Sequence, residues 1–189
     1  MTIKDLKNFR NAIHRDLKIS PQNEKSSCFI VREEKKESAI QRIEFTFKNQ
    51  DDVLIIRQEA EKCSAIKNLF ETKPNLDSCD FIVLLCKNRN IKICFCEIKS
   101  SKSKENQEKA LKQINSSKIF LEYLCKCYKE HFDSAFEFSS EMTENIYIYP
   151  ASNSQKNRTS SLGSNFKFKS IKIDNGKAII DNGYEFFRD

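Results

Sequence analysis

The chain has 189 residues, enough for one domain and too few for a separate substrate domain beside a cofactor domain. Apolar residues make up 39% and charged residues 32%, a balance that builds a core under a heavily charged surface and excludes wholesale disorder. The net charge of +6 permits an anionic partner such as nucleic acid, and the three glycines, all at or after Gly163, exclude a Walker A loop, a dinucleotide fingerprint and a G-x-S-x-G nucleophile elbow.

No uninterrupted apolar stretch is longer than 81–86, far short of the ~20 residues that span a bilayer. The N-terminal segment is charged and helix-patterned rather than signal-like, so the expectation is a soluble, cytoplasmic protein with no membrane partner. The eight cysteines sit mostly inside apolar patterns and are read as reduced, buried thiols. Their close pairs, Cys94/Cys96 and Cys125/Cys127, are one residue apart, and only His14 and His131 are available to help, which does not suit zinc.

Ile3, Leu6, Phe9, Ile13 and Leu17 recur at spacings of three and four, predicting an N-terminal helix over 2–18 that ends before Pro21. Strand-like runs follow at 28–32, 43–48 and 53–57. The stretch 59–70 is compatible with a helix through Ala60, Cys63 and Ile66 or with a strand over 65–70. Two continuous apolar runs, 81–86 and 91–96, are joined by Lys87, Asn88, Arg89 and Asn90, a connection of hairpin length. From 104 to about 129 there is neither Pro nor Gly, and Ala110, Leu111, Ile114, Leu121, Leu124 and Tyr128 mark the longest helix. A strand at 146–149, a Ser/Asn-rich loop at 151–165 and strands at 166–173 and 177–180 complete the chain. Asp174-Asn175-Gly176 between the last two predicts a C-terminal β-hairpin, placed at 166–187. The whole reads as a single α/β domain with a mixed central β-sheet flanked by helices, its core at about 28–150 and the two terminal pieces as appendages.

The central hairpin carries the chemistry. If its pairing is symmetric about Asn88 and Arg89, Cys86 faces Ile91 and Asp80 faces Glu97, so two carboxylates oppose each other. Period-two alternation puts Lys99 on that same face. Like charges across a strand pair destabilise it unless lysine, solvent or a cation compensates. Two carboxylates suit Mg2+ or Mn2+, hard ions that take phosphate oxygens as further ligands, and the arrangement is therefore preorganised for phosphodiester hydrolysis.

Asp80 at the start of one apolar strand and Glu97-Ile98-Lys99 at the end of the next, followed by a helix, resemble the PD-(D/E)xK nuclease superfamily. The resemblance covers 79–124, about a quarter of the chain, and implies a restriction-endonuclease-like αβββαβ core. It further implies Asp80, Glu97 and Ile98 as ligands of Mg2+ or Mn2+, Lys99 as the catalytic lysine and Gln113 as a glutamine on the following helix near the site. The implied substrate is DNA in preference to RNA. A homodimer is compatible with it, as is a role as effector subunit of a restriction or antiphage defence complex, with an ATPase, helicase or sensor as protein partner; the same fold also serves catalytically silent nucleic-acid-binding or assembly subunits. The sequence departs from the family pattern at Cys79, where proline precedes the first acid; Asp77 competes with Asp80 for that role, and an additional upstream acid can come from Glu44, Glu59 or Glu61.

Two lysine-rich stretches lie outside the motif. Lys102, Lys104, Lys109 and Lys112 around the helix start suit either a solvated face or phosphate tracking. Lys156, Arg158, Lys167, Lys169, Lys172 and Lys177 make the tail basic, and alternation with Phe166 and Phe168 puts phenylalanines inward and lysines toward solvent, with a nucleic-acid surface as the second reading.

Overall fold

A computed structural model describes residues 2–23, 26–33, 38–58, 77–87, 90–137, 143–151 and 165–188. Helix α1 (Ile3–Ala12) starts at a reciprocal cap in which the Thr2 hydroxyl accepts from the Asp5 N–H and the Asp5 carboxylate accepts from the Thr2 N–H. It is shorter than the apolar spacing predicts. Ile13 turns extended, a single 3-10 turn covers Arg15–Leu17, and β1 (Lys18–Ile19) follows, so the expected helix over 2–18 ends at Ala12. Ile13 and Leu17 still enter the core, from a turn rather than from a helix face, and the Lys18 ammonium satisfies the Arg10 carbonyl of the last helical turn.

Next come β2 (Cys28–Arg32), β3 (Arg42–Thr46), β4 (Val53–Ile56), β5 (Phe81–Lys87), β6 (Asn90–Ile98), α2 (Lys104–His131), β7 (Thr143–Pro150), β8 (Lys167–Ile171), β9 (Lys177–Ile180) and α3 (Gly183–Arg188). Six strands form one sheet in the order β1-β4-β5-β6-β7-β8, antiparallel from β1 to β6 and parallel from β6 to β8. A second sheet has the order β2-β3-β9. Among the described residues the architecture is thus mixed α/β with a mixed multi-stranded sheet and few helices.

Alternation along the central strands divides the core in two. Leu54, Ile56, Ile82, Leu84, Ile93 and Phe95 pack under α1 and α2, whereas Val53, Ile55, Phe81, Val83, Cys94 and Cys96 pack against the smaller sheet and α3. A strand buried on both faces needs an apolar residue at every position, which is why β5 reads as one continuous apolar run. The seven cysteines among the described residues are all free thiols, five of them buried.

The C-terminal hairpin expected over 166–187 does not form. Its turn does: Asn175 and Gly176 take φ of 49° and 77°, and Asp174 and Lys177 exchange both main-chain hydrogen bonds at 2.9 Å. Beyond that bridge the strands part, β8 running parallel to β7 and β9 parallel to β3, and the segment 183–188 is helical. An isolated two-stranded hairpin is marginal, whereas each strand here joins the edge of a larger sheet. Ile171, Ala178 and Phe187 are buried in the core under the second sheet, so these elements are integral to the fold.

Candidate active site

The hairpin register is the predicted one, with Phe81 opposite Cys96 and Cys86 opposite Ile91. Continuing that ladder would pair Cys79 with Ile98, yet both of their N–H groups bond elsewhere. The Cys79 N–H donates to the Ser117 hydroxyl of α2 at 2.9 Å, and the Ile98 N–H donates to the Asp80 carboxylate at 2.5 Å. A side chain has taken over the ladder position, and the strands open at the point where the acids sit.

Glu97 is 1% exposed and points, like Phe95 before it, toward α2. One of its oxygens accepts from the Asp80 N–H at 3.2 Å, and the other accepts a short hydrogen bond from the Lys99 ammonium. That ammonium also donates to the Gln113 amide oxygen at 2.9 Å, while the Gln113 amide nitrogen donates to the Ser78 carbonyl at 3.1 Å. Asp80, Glu97, Lys99 and Gln113 therefore meet at one point. Of the two candidates for the first acid, it is Asp80 whose N–H and carboxylate engage Glu97 and Ile98.

Burial, reinforced by the neighbouring Asp80 charge and opposed by Lys99, pushes the Glu97 carboxyl up to about 8. Two carboxylates held this close favour a further cation, and the donor chemistry suits a hard one. Each Glu97 oxygen accepts one N–H bond, and a carboxylate oxygen has two lone pairs. Strand geometry adds the Ile98 carbonyl: the Lys99 N–H bonds across to Ile148 at 2.9 Å, so the main chain of Ile98, one residue back, faces the Asp80 side. Among the described residues no cluster of three or more His, Cys, Asp and Glu side chains assembles, and the donors they offer such a site are the two carboxylates and the Ile98 carbonyl.

The upstream acids divide. Glu44 lies on β3 between the inward-facing Ile43 and Phe45, paired with Arg42 at 2.5 Å and Lys177 at 2.9 Å. It therefore faces away from the core on the far side of the main sheet from α2, and its role is an ion pair joining β3 to β9. Glu59 and Glu61 lie outside the described residues, as does the ambiguous stretch 59–70. The tail lysines are also not one open patch. Lys167 bonds Glu144 at 3.4 Å and the Arg188 carbonyl at 3.2 Å, and Lys169 lies over the Phe186 ring, so both help to hold α3. Lys156 and Arg158 fall outside the described residues.

Sequence reasoning missed the residues that hold this site. Ser117, fully buried on α2, accepts from the Cys79 N–H and donates to the Gln58 side chain at 3.1 Å, tying the segment before Asp80 and the end of β4 to one helix turn. Tyr147, opposite Glu97 on β7, donates from its hydroxyl to the Ser101 carbonyl and pins the loop that leads from Lys99 to α2. The available signal was a serine at a core position of the α2 face, one turn after Gln113 and between Ile114 and Leu121.

Comparison of the chain with protein-family models, with curated proteins and with solved structures returned no match. No helix among the described residues is long and apolar enough to cross a membrane.

Proposed function

We propose that the chain is a metal-dependent nuclease of the PD-(D/E)xK type that hydrolyses phosphodiester bonds, in DNA rather than RNA. The carrying observation is the meeting of Asp80, Glu97, Lys99 and Gln113 where one apolar hairpin opens, with the lysine bridging the acid and the amide. Element order supports the same reading: once β1, β2 and β3, which intervene between α1 and β4, are set aside, α1, the antiparallel run β4-β5-β6, α2 and a β7 parallel to β6 are compatible with the αβββαβ order of a restriction-endonuclease-like core.

Asp80, Glu97 and the Ile98 carbonyl would hold Mg2+ or Mn2+. Such a cation, when bound, polarises a phosphoryl group and lowers the pKa of the water it carries. Lys99, with its side chain 14% exposed and its ammonium held by Glu97 and Gln113, has a fixed direction. From there it orients an attacking water or donates to charge developing on a phosphate oxygen. Gln113 acts through Lys99 and the Ser78 carbonyl, as a positioning residue. We assign target selection to a protein partner such as an ATPase, helicase or sensor.

The test is incubation of the purified chain with DNA and RNA in Mg2+ or Mn2+ and in EDTA. Cleavage that needs the metal, favours DNA and is lost in Asp80→Ala supports the proposal. Cleavage indifferent to chelation refutes the metal mechanism. A chain that binds DNA with its partners present and never cuts is instead a silent subunit of the same fold.

A further inference from the structure

Beside the acids, the α2-facing side of the main sheet continues as aromatic surface. Glu97 pairs with Tyr147 and Tyr147 with Phe168, so one row runs from the acid across β7 to β8, while Tyr149 lies one step further along the face, level with Lys99. Two strand spacings put Phe168 at about 10 Å from Glu97. The rings form a continuous set, with centroids 5.2 Å apart for Tyr147 and Phe168 and 6.4 Å for Tyr147 and Tyr149. Tyr147 is fully buried and supports the others from beneath, whereas Tyr149 and Phe168 are half-buried and keep ring surface toward solvent. Over both of these rings lies the ammonium of exposed Lys102, at 4.3 Å from the Tyr149 centroid and 4.8 Å from that of Phe168; among the described residues it forms no ion pair.

We propose that Tyr149 and Phe168, with Lys102 above them, form a shelf on which an unpaired base of a single-stranded nucleic acid stacks beside Asp80 and Glu97. The inference rests on the nuclease reading and names the form of its substrate. An aromatic face that holds a cation also accepts the plane of a base, and any base has such a plane, so the shelf is tolerant of sequence. A base in a duplex is already stacked and paired, so the shelf favours strands that are open. When the base arrives, the Lys102 ammonium leaves the ring faces for the adjacent phosphate, which keeps its charge compensated.

Fluorescence anisotropy in EDTA measures this without cleavage, using a labelled oligothymidylate of about 12 nucleotides and a duplex of the same length. The parent should prefer the single strand. Tyr149→Leu and Phe168→Leu should each weaken single-strand binding by roughly 5- to 100-fold and leave duplex binding unchanged. Lys102→Ala, a surface change that cannot unfold the chain, should weaken it too and lower the salt slope by about one. A parent without single-strand preference, or affinity unmoved in both aromatic variants, overturns the shelf. Cleavage in Mg2+, scored separately, keeps the two readings apart. A parent that cuts, with aromatic variants that bind single strands as it does, refutes the shelf alone; a parent that binds through the shelf and never cuts even with its partners present refutes the nuclease and leaves the shelf standing.

Discussion

Replacing Glu97 by Gln should change the pH dependence of stability in a defined direction. Glu97 is 1% exposed beside Asp80, and its carboxyl is pushed up to about 8 in the folded chain. In acid below the ordinary carboxyl range, folded and unfolded chains both carry the proton and the contribution is flat. Between that range and about 8 the folded chain holds a proton that the unfolded chain has lost, so the parent loses stability as pH rises; above about 8 the contribution is flat again. The slope is up to ~1.4 kcal/mol per pH unit, or roughly 2–3 kcal/mol between pH 6 and 8. Gln has no proton to exchange. Its amide must also present a donor to either the Lys99 ammonium or the Asp80 N–H, a loss of about 1 kcal/mol that does not vary with pH. Denaturant unfolding of parent and variant in EDTA and reductant at pH 6, 7, 8 and 9 separates the two effects, because titrating groups remote from Glu97 cancel in the difference, which leaves Glu97 with its direct partners Asp80 and Lys99. The variant should gain on the parent steadily up to about pH 8, by the equivalent of roughly 5–10 °C in Tm for a domain of this size. A difference that stays constant from pH 6 to 9 would refute the burial of Glu97 beside Asp80.

The positioning network and the C-terminal packing make separate predictions. Ser117→Ala removes the acceptor of the Cys79 N–H and should cost about 1–3 kcal/mol in unfolding free energy. If Ser117 positions Asp80, the same variant should lower kcat on nucleic acid with little change in KM, and Ser117→Thr, which keeps a hydroxyl, should recover part of it; an unchanged kcat would leave Ser117 a purely structural role. Phe187→Ala empties a fully buried site beside Phe45, with ring centroids 5.2 Å apart, and should cost about 3–5 kcal/mol, whereas a loss under 1 kcal/mol would return α3 to the status of an appendage.

Much of the site was legible because the central hairpin obeys local rules. Two apolar runs with a short polar connection specify a register, and the register alone opposes Asp80 to Glu97 and sets Lys99 on their face. The long helix was equally legible, lacking breakers from 104 to 129 and ending two residues later. What failed was long-range competition. The Asp174-Asn175-Gly176 turn formed as its residues demand, but the strands on either side found sheet edges elsewhere, and no local pattern encodes a pairing of β9 with β3. Glu44 looked like any other upstream acid until its neighbours Ile43 and Phe45 were seen to face the second core. Ser117 was invisible for a similar reason, since its partner Cys79 lies far away in sequence and a buried serine on a helix announces no bond.

Single-turnover cleavage of DNA by the parent and by Lys99→Ala, in saturating Mn2+ and alongside a thermal shift caused by the same Mn2+, tests the central claim most directly. In the proposed mechanism lysine is not a ligand; its ammonium donates to the Glu97 carboxylate and the Gln113 amide oxygen and would donate to the reacting phosphate. The variant should therefore keep a Mn2+-dependent rise in Tm and lose cleavage by at least about 100-fold. A Lys99→Ala chain that cuts at the parent's rate would contradict the assignment of Asp80, Glu97 and Lys99 as the catalytic site.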